Sequence, residues 1–248
     1  MLISRANAQM VRFEIKCIER WQMTDSVELV IFDCDGVVID SEVLSARVLI
    51  RMLSELNINI DMHYVQQHFL GCSFKSVSEK IAFTFGVSVP EQFESDYRHA
   101  LVTLFAEQLQ PTAGIKNILL NLNVPFCIAT SSSLLRTQKA LNVVGFDAFF
   151  KNIFTSEEVS VGKPAPDLFL HAAQQMGVLP QNCLVIEDSS AGIQAAISAN
   201  MQVMHYFGGK HLDKGVNHVH INFPDVALLS HWRSFFTTYP TLTHESSL

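Results

Sequence analysis

The chain has 248 residues, of which 48% are hydrophobic and 17% are charged, and its formal net charge at pH 7 is −7. This length is enough for one domain, or for two of unequal size, with a sizeable core. Because no block of basic residues stands out, we expect neither nucleic acid nor an anionic membrane surface as a partner. No apolar run in the sequence approaches the length of a transmembrane span.

Residues 1–26 carry several basic side chains but no continuous apolar segment, so they lack the pattern of a signal peptide. We interpret them as an N-terminal extension without a catalytic role. The five cysteines are odd in number and show no C-x-x-C spacing. Reduced thiols in a reducing compartment are therefore expected, and with them a cytoplasmic protein.

Four short apolar runs have the character of buried parallel strands. They are Leu29–Phe32, Phe126–Thr130, Cys183–Glu187 and Val203–Phe207. Helical patterns at residues 166–176 and 190–199 lie between the later runs. This alternation of strand and helix predicts an α/β fold built on a parallel sheet.

The segment between the first two strands contains no convincing strand pattern. Residues 42–56 place apolar side chains on one helical face, and two more helical stretches follow at 74–86 and 91–107. Such an insertion is a candidate cap over the carboxyl ends of the strands, where open α/β sheets bind ligands. The predicted units are an α/β core at 27–41 and 109–222, a helical cap at 42–108 and a C-terminal tail at 223–248.

Two carboxylates, Asp33 and Asp35, directly follow the first strand, with only Cys34 between them. A buried strand that brings two carboxylates together carries a high electrostatic cost. A Mg²⁺ ion with hard oxygen ligands would relieve that cost. The same arrangement supplies a carboxylate nucleophile beside a metal.

The later strand ends carry groups of complementary chemistry. Thr130 ends the second strand and is followed by Ser131, Lys163 lies in a Gly-Lys-Pro-Ala-Pro-Asp loop, and Glu187 and Asp188 end the third strand. Parallel strands place their carboxyl ends at one edge of the sheet, so we expect these groups to converge. Phosphoryl transfer needs this kind of positioning and positive charge.

The ordered motifs resemble those of the haloacid-dehalogenase-like superfamily, in its phosphatase and β-phosphoglucomutase-like branch. The matching segments are Asp33-Cys34-Asp35-Gly36-Val37-Val38-Ile39-Asp40, then Thr130, then Lys163, then Glu187-Asp188. The resemblance covers residues 28–207. It implies a Rossmann-like core with an inserted helical cap, Mg²⁺ as cofactor and an aspartyl-phosphate intermediate.

The resemblance also implies a role for each motif residue. Asp33 is expected to attack phosphorus, and Asp35 to protonate the leaving oxygen and then to deprotonate water. Asp33, the main-chain carbonyl of Asp35 and Asp188 are expected to bind Mg²⁺. Glu187 is expected either to bind the ion directly or to lie next to the residues that bind it. Three side chains are expected to hold the phosphoryl oxygens: Thr130, Ser131 and Lys163.

The cap is expected to select the substrate. In related proteins a cap loop reaches the active site, and the matching segment here makes Ser73, Phe74 and Lys75 the specificity candidates. The alternative for this segment is a helix N-terminus capped by Ser73.

The family that this chain resembles includes both phosphatases and mutases, so the expected reaction type depends on particular residues of the cap. β-Phosphoglucomutases that resemble this chain carry a histidine and an arginine in the cap, where this chain has Ser45 and Phe74. We therefore predict a phosphoric monoester hydrolase, monomeric, that acts on a small phosphorylated metabolite such as a sugar phosphate. Two alternatives stay open: a sugar phosphomutase of the β-phosphoglucomutase type, and a non-catalytic phosphate-binding regulatory protein on the same fold.

Overall fold

A computed structural model describes residues 27–69, 72, 74–210, 212 and 222–244. The predicted extension at 1–26 and the candidate Ser73 lie outside these described residues. Within them, six strands form one parallel sheet in the order β3-β2-β1-β4-β5-β6. The strands are β1 Leu29–Phe32, β2 Phe126–Thr130, β3 Ile153–Thr155, β4 Cys183–Glu187, β5 Gln202–Tyr206 and β6 Ala227–Leu229.

Helices connect the strands and cover both faces of the sheet. The α-helices are α1 Glu42–Glu55, α2 Met62–His68, α3 Phe74–Phe85, α4 Phe93–Gln108, α5 Ile115–Asn121, α6 Leu134–Val143, α7 Asp167–Met176, α8 Ser190–Ser198 and α9 Phe235–Thr238. Short 3₁₀ helices lie at Ser156–Glu158, Pro180–Asn182, Trp232–Ser234 and Pro240–Leu242. In the described part of the chain, each helix is either too short or too polar to cross a membrane.

The predicted α/β fold with a parallel sheet is confirmed, including all four predicted strands. Strands β3 and β6 were not predicted, because each has only three residues and is too short for an apolar periodicity. Helix α2 was missed for a similar reason. It has seven residues, and its start is fixed locally by Asp61, whose carboxylate accepts a hydrogen bond from Tyr64 N at 2.8 Å.

The helical insertion follows β1, as predicted, and consists of α1 to α4. It has its own apolar cluster, to which α1 contributes Ala46, Leu49 and Leu53. The opposite face of α1 places Leu44 and Val48 in the main cluster of the sheet. Helix α1 therefore joins the insertion to the core, because its two apolar faces are buried on different sides.

The segment predicted as a C-terminal tail, residues 223–248, is described as far as residue 244 and packs against the core there. Strand β6 extends the sheet, and Trp232 and Phe235 are fully buried in the core. The Trp232 ring stacks on Tyr206 at 4.7 Å, and its Nε1 donates a hydrogen bond to Thr112 Oγ1 at 2.9 Å. Large aromatic side chains bury enough area to hold a segment whose elements are too short to show periodicity.

The register of the three central strands aligns their carboxyl ends. Phe32, the last residue of β1, is level with Ile128 of β2 and Ile186 of β4. All four residues of β1 and all five of β4 are buried, and successive residues of β1 enter the clusters on opposite faces of the sheet. Residues just beyond the three central strands therefore emerge at the same edge.

Candidate active site

One pocket at the carboxyl edge of the sheet contains every core residue that the sequence singled out. Its lining includes Asp33, Asp35, Thr130, Ser131, Lys163, Glu187 and Asp188. The opposite wall comes from the helical insertion, including Ser45, Leu49, Phe74, Tyr97 and Arg98. The pocket is thus shared between the sheet edge and the insertion, which is where a cap would act.

Three buried carboxylates form the centre of the pocket. Asp33, Glu187 and Asp188 each offer an oxygen, and these oxygens lie within 4.8 Å of one another. Burial raises the pKa of Asp33 well above its usual value, although Lys163 opposes this shift. Burial and the neighbouring Glu187 likewise raise the pKa of Asp188. Three acids against one ammonium leave an excess of negative charge, and their hard oxygen donors suit a divalent cation.

Lys163 is the buried cation of this centre, with a side chain only 2% exposed. Its Nζ donates to Asp33 Oδ1 at 2.6 Å, to Glu187 Oε1 at 2.7 Å and to the carbonyl of Ala129 at 3.0 Å. Burial lowers the pKa of Lys163, but the two carboxylates more than offset this and raise it. The ammonium therefore stays charged beside the predicted nucleophile.

Both carboxylate oxygens of Glu187 accept hydrogen bonds. While Oε1 accepts from Lys163, Oε2 accepts from Ser189 N at 2.8 Å and from Ser189 Oγ at 2.9 Å. Ser189 also caps α8, because its Oγ accepts from Gly192 N at 3.1 Å. A Cβ on Gly192 would lie 1.7 Å from Glu187 Oε1, so the start of α8 can approach the carboxylate only with glycine here.

Asp35 belongs to a second polar network in the same pocket. Both of its oxygens face the guanidinium of Arg136, at 2.8 Å for Oδ1 and 2.6 Å for Oδ2. Ser41 Oγ donates to Oδ1 at 2.5 Å, and Ser132 Oγ donates to Oδ2 at 2.6 Å. Burial alone would raise the pKa of Asp35, but Arg136 and the two hydroxyls hold it below its usual value.

Sequence reasoning missed Arg136, which lies 101 positions from Asp35 in the chain. It occupies the first turn of α6, where the helix dipole disfavours a cation. An arginine at that position, soon after Thr130, is a signal that could have identified it. Tyr97 and Arg98 were also missed, because they lie on a helix whose pattern explains them as ordinary surface residues.

Two of the predicted hydroxyl residues line the pocket. Thr130 is buried at the end of β2, and its Oγ1 accepts from Ser132 N at 3.1 Å. Ser131 lines the pocket, and its carbonyl accepts from Ser156 Oγ at 3.0 Å. These two hydrogen bonds therefore fix the loop after β2 in its place beside the carboxylates.

Of the cap candidates, Phe74 lines the pocket and Lys75 does not. The Phe74 ring packs against Phe93 and Tyr97, with centroids 6.1 and 5.7 Å apart. Successive helical residues are turned by ~100°, so Lys75 faces solvent and is exposed. Lys75 is therefore not among the described residues that line this pocket.

A parallel α/β sheet with buried carboxylates and a buried lysine at its carboxyl edge is an arrangement suited to phosphoryl transfer. Residues 30–206 match the family described as haloacid dehalogenase-like hydrolase, and the chain belongs to this family. The chain is 29% identical over 187 residues to a 6-phosphogluconate phosphatase from Escherichia coli, covering 75% of this chain and 85% of that protein.

Two further likenesses concern a mutase and a solved structure. The chain is 30% identical to a β-phosphoglucomutase from Bacillus subtilis, over 71% of this chain and 81% of that protein. A conserved haloacid dehalogenase-like protein of unknown function from Agrobacterium tumefaciens superimposes with a TM-score of 0.76 at 28% identity, covering 87% of this chain and 99% of that one. These likenesses extend over both the sheet and the inserted helices.

Proposed function

We propose that the protein is a Mg²⁺-dependent phosphatase that hydrolyses a small phosphorylated metabolite, with a sugar phosphate as the expected class. The observation that carries this proposal is the pairing of two carboxylates in one pocket. Asp33 lies in the acidic centre beside Lys163, and Asp35, two positions on, lies in a separate network of its own. Two carboxylates in different surroundings can divide the roles of nucleophile and proton carrier.

In the first step, an oxygen of Asp33 attacks phosphorus while the bond between phosphorus and the leaving oxygen breaks. Asp35 must carry a proton in this step, although its contact with Arg136 favours the ionised form in the free protein. It gives that proton to the leaving oxygen, and the alcohol leaves. In the second step, water attacks the aspartyl phosphate, and Asp35 takes a proton from the water. The bond between phosphorus and Asp33 breaks, which releases inorganic phosphate and restores both residues.

Positive charge for the phosphoryl oxygens comes from the residues around Asp33. Lys163 is proposed to bind these oxygens together with Thr130 and Ser131. Mg²⁺ would be held by Asp33, Asp188 and the main-chain carbonyl of Asp35, and would supply further positive charge when bound. Both oxygens of Glu187 already accept hydrogen bonds, so we assign Glu187 to orienting Lys163.

Hydrolysis is favoured over transfer between sugar positions by two residues of the insertion. Percentage identity alone does not choose between them, because it is 29% for the phosphatase and 30% for the mutase named above. The resemblance to mutases implies that Ser45 and Phe74 stand at the positions where those proteins carry a histidine and an arginine. A mutase must keep water from its aspartyl phosphate, whereas a phosphatase need only admit it.

The test is phosphate release from a panel of phosphorylated metabolites by the purified protein, in excess EDTA and in excess Mg²⁺. We expect release with Mg²⁺ only, and none from an Asp33→Asn variant that retains its fold. Conversion of one sugar phosphate into another without phosphate release would establish the mutase instead. Tight phosphate binding without turnover of any substrate would support the non-catalytic alternative.

A further inference from the structure

We propose that Arg98 of the helical insertion binds a carboxylate of the substrate, at the end of the molecule remote from the phosphoryl group. This inference rests on the proposed phosphatase function and narrows its substrate class to phosphorylated acids, such as phosphorylated sugar acids. The observation behind it is that Arg98 lines the same pocket as the acidic centre, where its contacts are more exposed than those of the other pocket cations.

The cations of the pocket differ in how firmly they are paired. Among the described residues, those that line the pocket are Arg98, Arg136 and Lys163. The side chains of Lys163 and Arg136 are only 2% and 15% exposed, and each is paired with buried carboxylates of the sheet edge. The Arg98 side chain is 43% exposed, and so is that of its partner Glu94. Because an exposed ion pair contributes little to stability, Arg98 can exchange Glu94 for a substrate group at small cost.

The Arg98 guanidinium is oriented by both the core and its own helix. Its Nη1 donates to Ser133 Oγ at 2.8 Å, and Ser133 lines the pocket directly before α6. Its Nε and Nη2 both donate to Glu94 Oε1, at 3.0 and 2.5 Å. The edge of the guanidinium that bears Nε and Nη2 therefore already binds a carboxylate. A substrate carboxylate has the same planar shape and suits the same edge.

Arg98 contacts the loop that follows the proposed phosphate-binding residues. Ser131 is proposed to bind the phosphoryl oxygens, and Ser133 lies two positions further on, so their Cα atoms are at most ~7 Å apart. The Arg98 guanidinium is one hydrogen bond beyond Ser133. A metabolite with only a few carbons between its phosphoryl and carboxylate groups can therefore reach both.

Pairs of substrates that differ in one carboxylate test this inference. One pair is 3-phosphoglycerate and glycerol 3-phosphate, and the other is 5-phosphoribonate and ribitol 5-phosphate; in each, the acid carries a carboxylate where the polyol carries a hydroxymethyl group. The quantity to measure is kcat/KM for phosphate release in saturating Mg²⁺. The wild-type protein should prefer the acid to its polyol by about 10–100-fold in at least one pair, which is the contribution expected of a hydrogen bond between charged groups.

Replacing Arg98 should remove this preference without affecting the chemistry. Arg98→Met should lower kcat/KM for the preferred acid to the value for its polyol, while the value for the polyol changes by less than about 3-fold. Arg98→Lys keeps the charge but loses the planar edge, so it should retain only part of the preference.

Arg47→Met is the matched control. Arg47 is exposed on α1 of the insertion and is not among the described residues that line the pocket, so its loss should leave all four values unchanged. Thermal unfolding by circular dichroism checks each variant, and Arg98→Lys decides the matter if Arg98→Met does not fold.

A purely structural contact between Arg98 and Ser133 would give a different result. If Arg98 only held the insertion against the core, its loss would lower kcat/KM equally for acid and polyol. That result in a folded variant, or a wild-type protein that prefers the acid in neither pair, would overturn the inference and leave the phosphatase proposal intact. A wild-type protein that releases phosphate from no phosphorylated metabolite in Mg²⁺ would instead overturn the proposed function, and this inference with it.

Discussion

Replacing Lys163 by methionine tests how the acidic centre is held together in the folded chain. The ammonium lies 2.6 Å from Asp33 and 2.7 Å from Glu187, and all three side chains are less than 10% exposed. Removing one partner from a buried ionic contact leaves uncompensated charge, which costs about 3–5 kcal/mol. That is a large share of the ~5–15 kcal/mol by which domains are ordinarily stable. Methionine keeps an apolar side chain over the Phe169 ring, where Lys163 Nζ now lies 4.7 Å from the centroid.

The assay is urea unfolding followed by circular dichroism, in EDTA so that no bound ion contributes. We expect the free energy of unfolding to fall by about 3–5 kcal/mol in Lys163→Met, and by less than ~0.5 kcal/mol in the exposed control Lys139→Met. Adding Mg²⁺ should restore part of the loss, because an ion that binds the folded state stabilises it. A change below ~1 kcal/mol in EDTA would refute the reasoning, since it would mean that solvent or protonation neutralises the carboxylates without the lysine.

The remaining predictions concern packing and specificity. Gly192→Ala should displace Glu187 and lower both the melting temperature and phosphate release, because its Cβ would lie 1.7 Å from Glu187 Oε1. Trp232→Phe removes a buried hydrogen-bond donor and should lower the free energy of unfolding by ~1–3 kcal/mol in urea titrations. Phe74→Ala should change the ranking of sugar phosphates in the release assay, while the exposed Lys75→Ala should leave it unchanged.

The edge of the sheet was predictable from the sequence because its signals are local. Each central strand is a short apolar run that ends in a polar residue, as at Phe32 followed by Asp33 and at Ile186 followed by Glu187. The one further assumption is that the strands are parallel, which the intervening helices already indicate. Parallel register then brings Asp33, Thr130 and Asp188 to one pocket without any knowledge of side-chain contacts.

The contacts that the sequence did not reveal depend on tertiary packing. Arg136 contacts Asp35 across 101 positions of the chain, and the residue pattern of α6 alone does not indicate that contact. Trp232 is buried because of Tyr206 and Thr112, which lie far from it in the chain. The choice between Phe74 and Lys75 depends on the rotation of α3 about its axis. A sequence motif limits that rotation only loosely, so both residues were candidates.

The helices of the insertion differ in whether they contact the residues around Asp35. Helix α4 buries Leu101 and Phe105 in the main core cluster, as α1 does with Leu44 and Val48, and these two helices carry the contacts to Arg136. Among the described residues, Phe74 on α3 belongs to the insertion's own cluster, although its neighbour Tyr97 packs against both clusters. We therefore expect a change at Phe74 to alter the insertion's wall of the pocket more than it alters the position of Asp35.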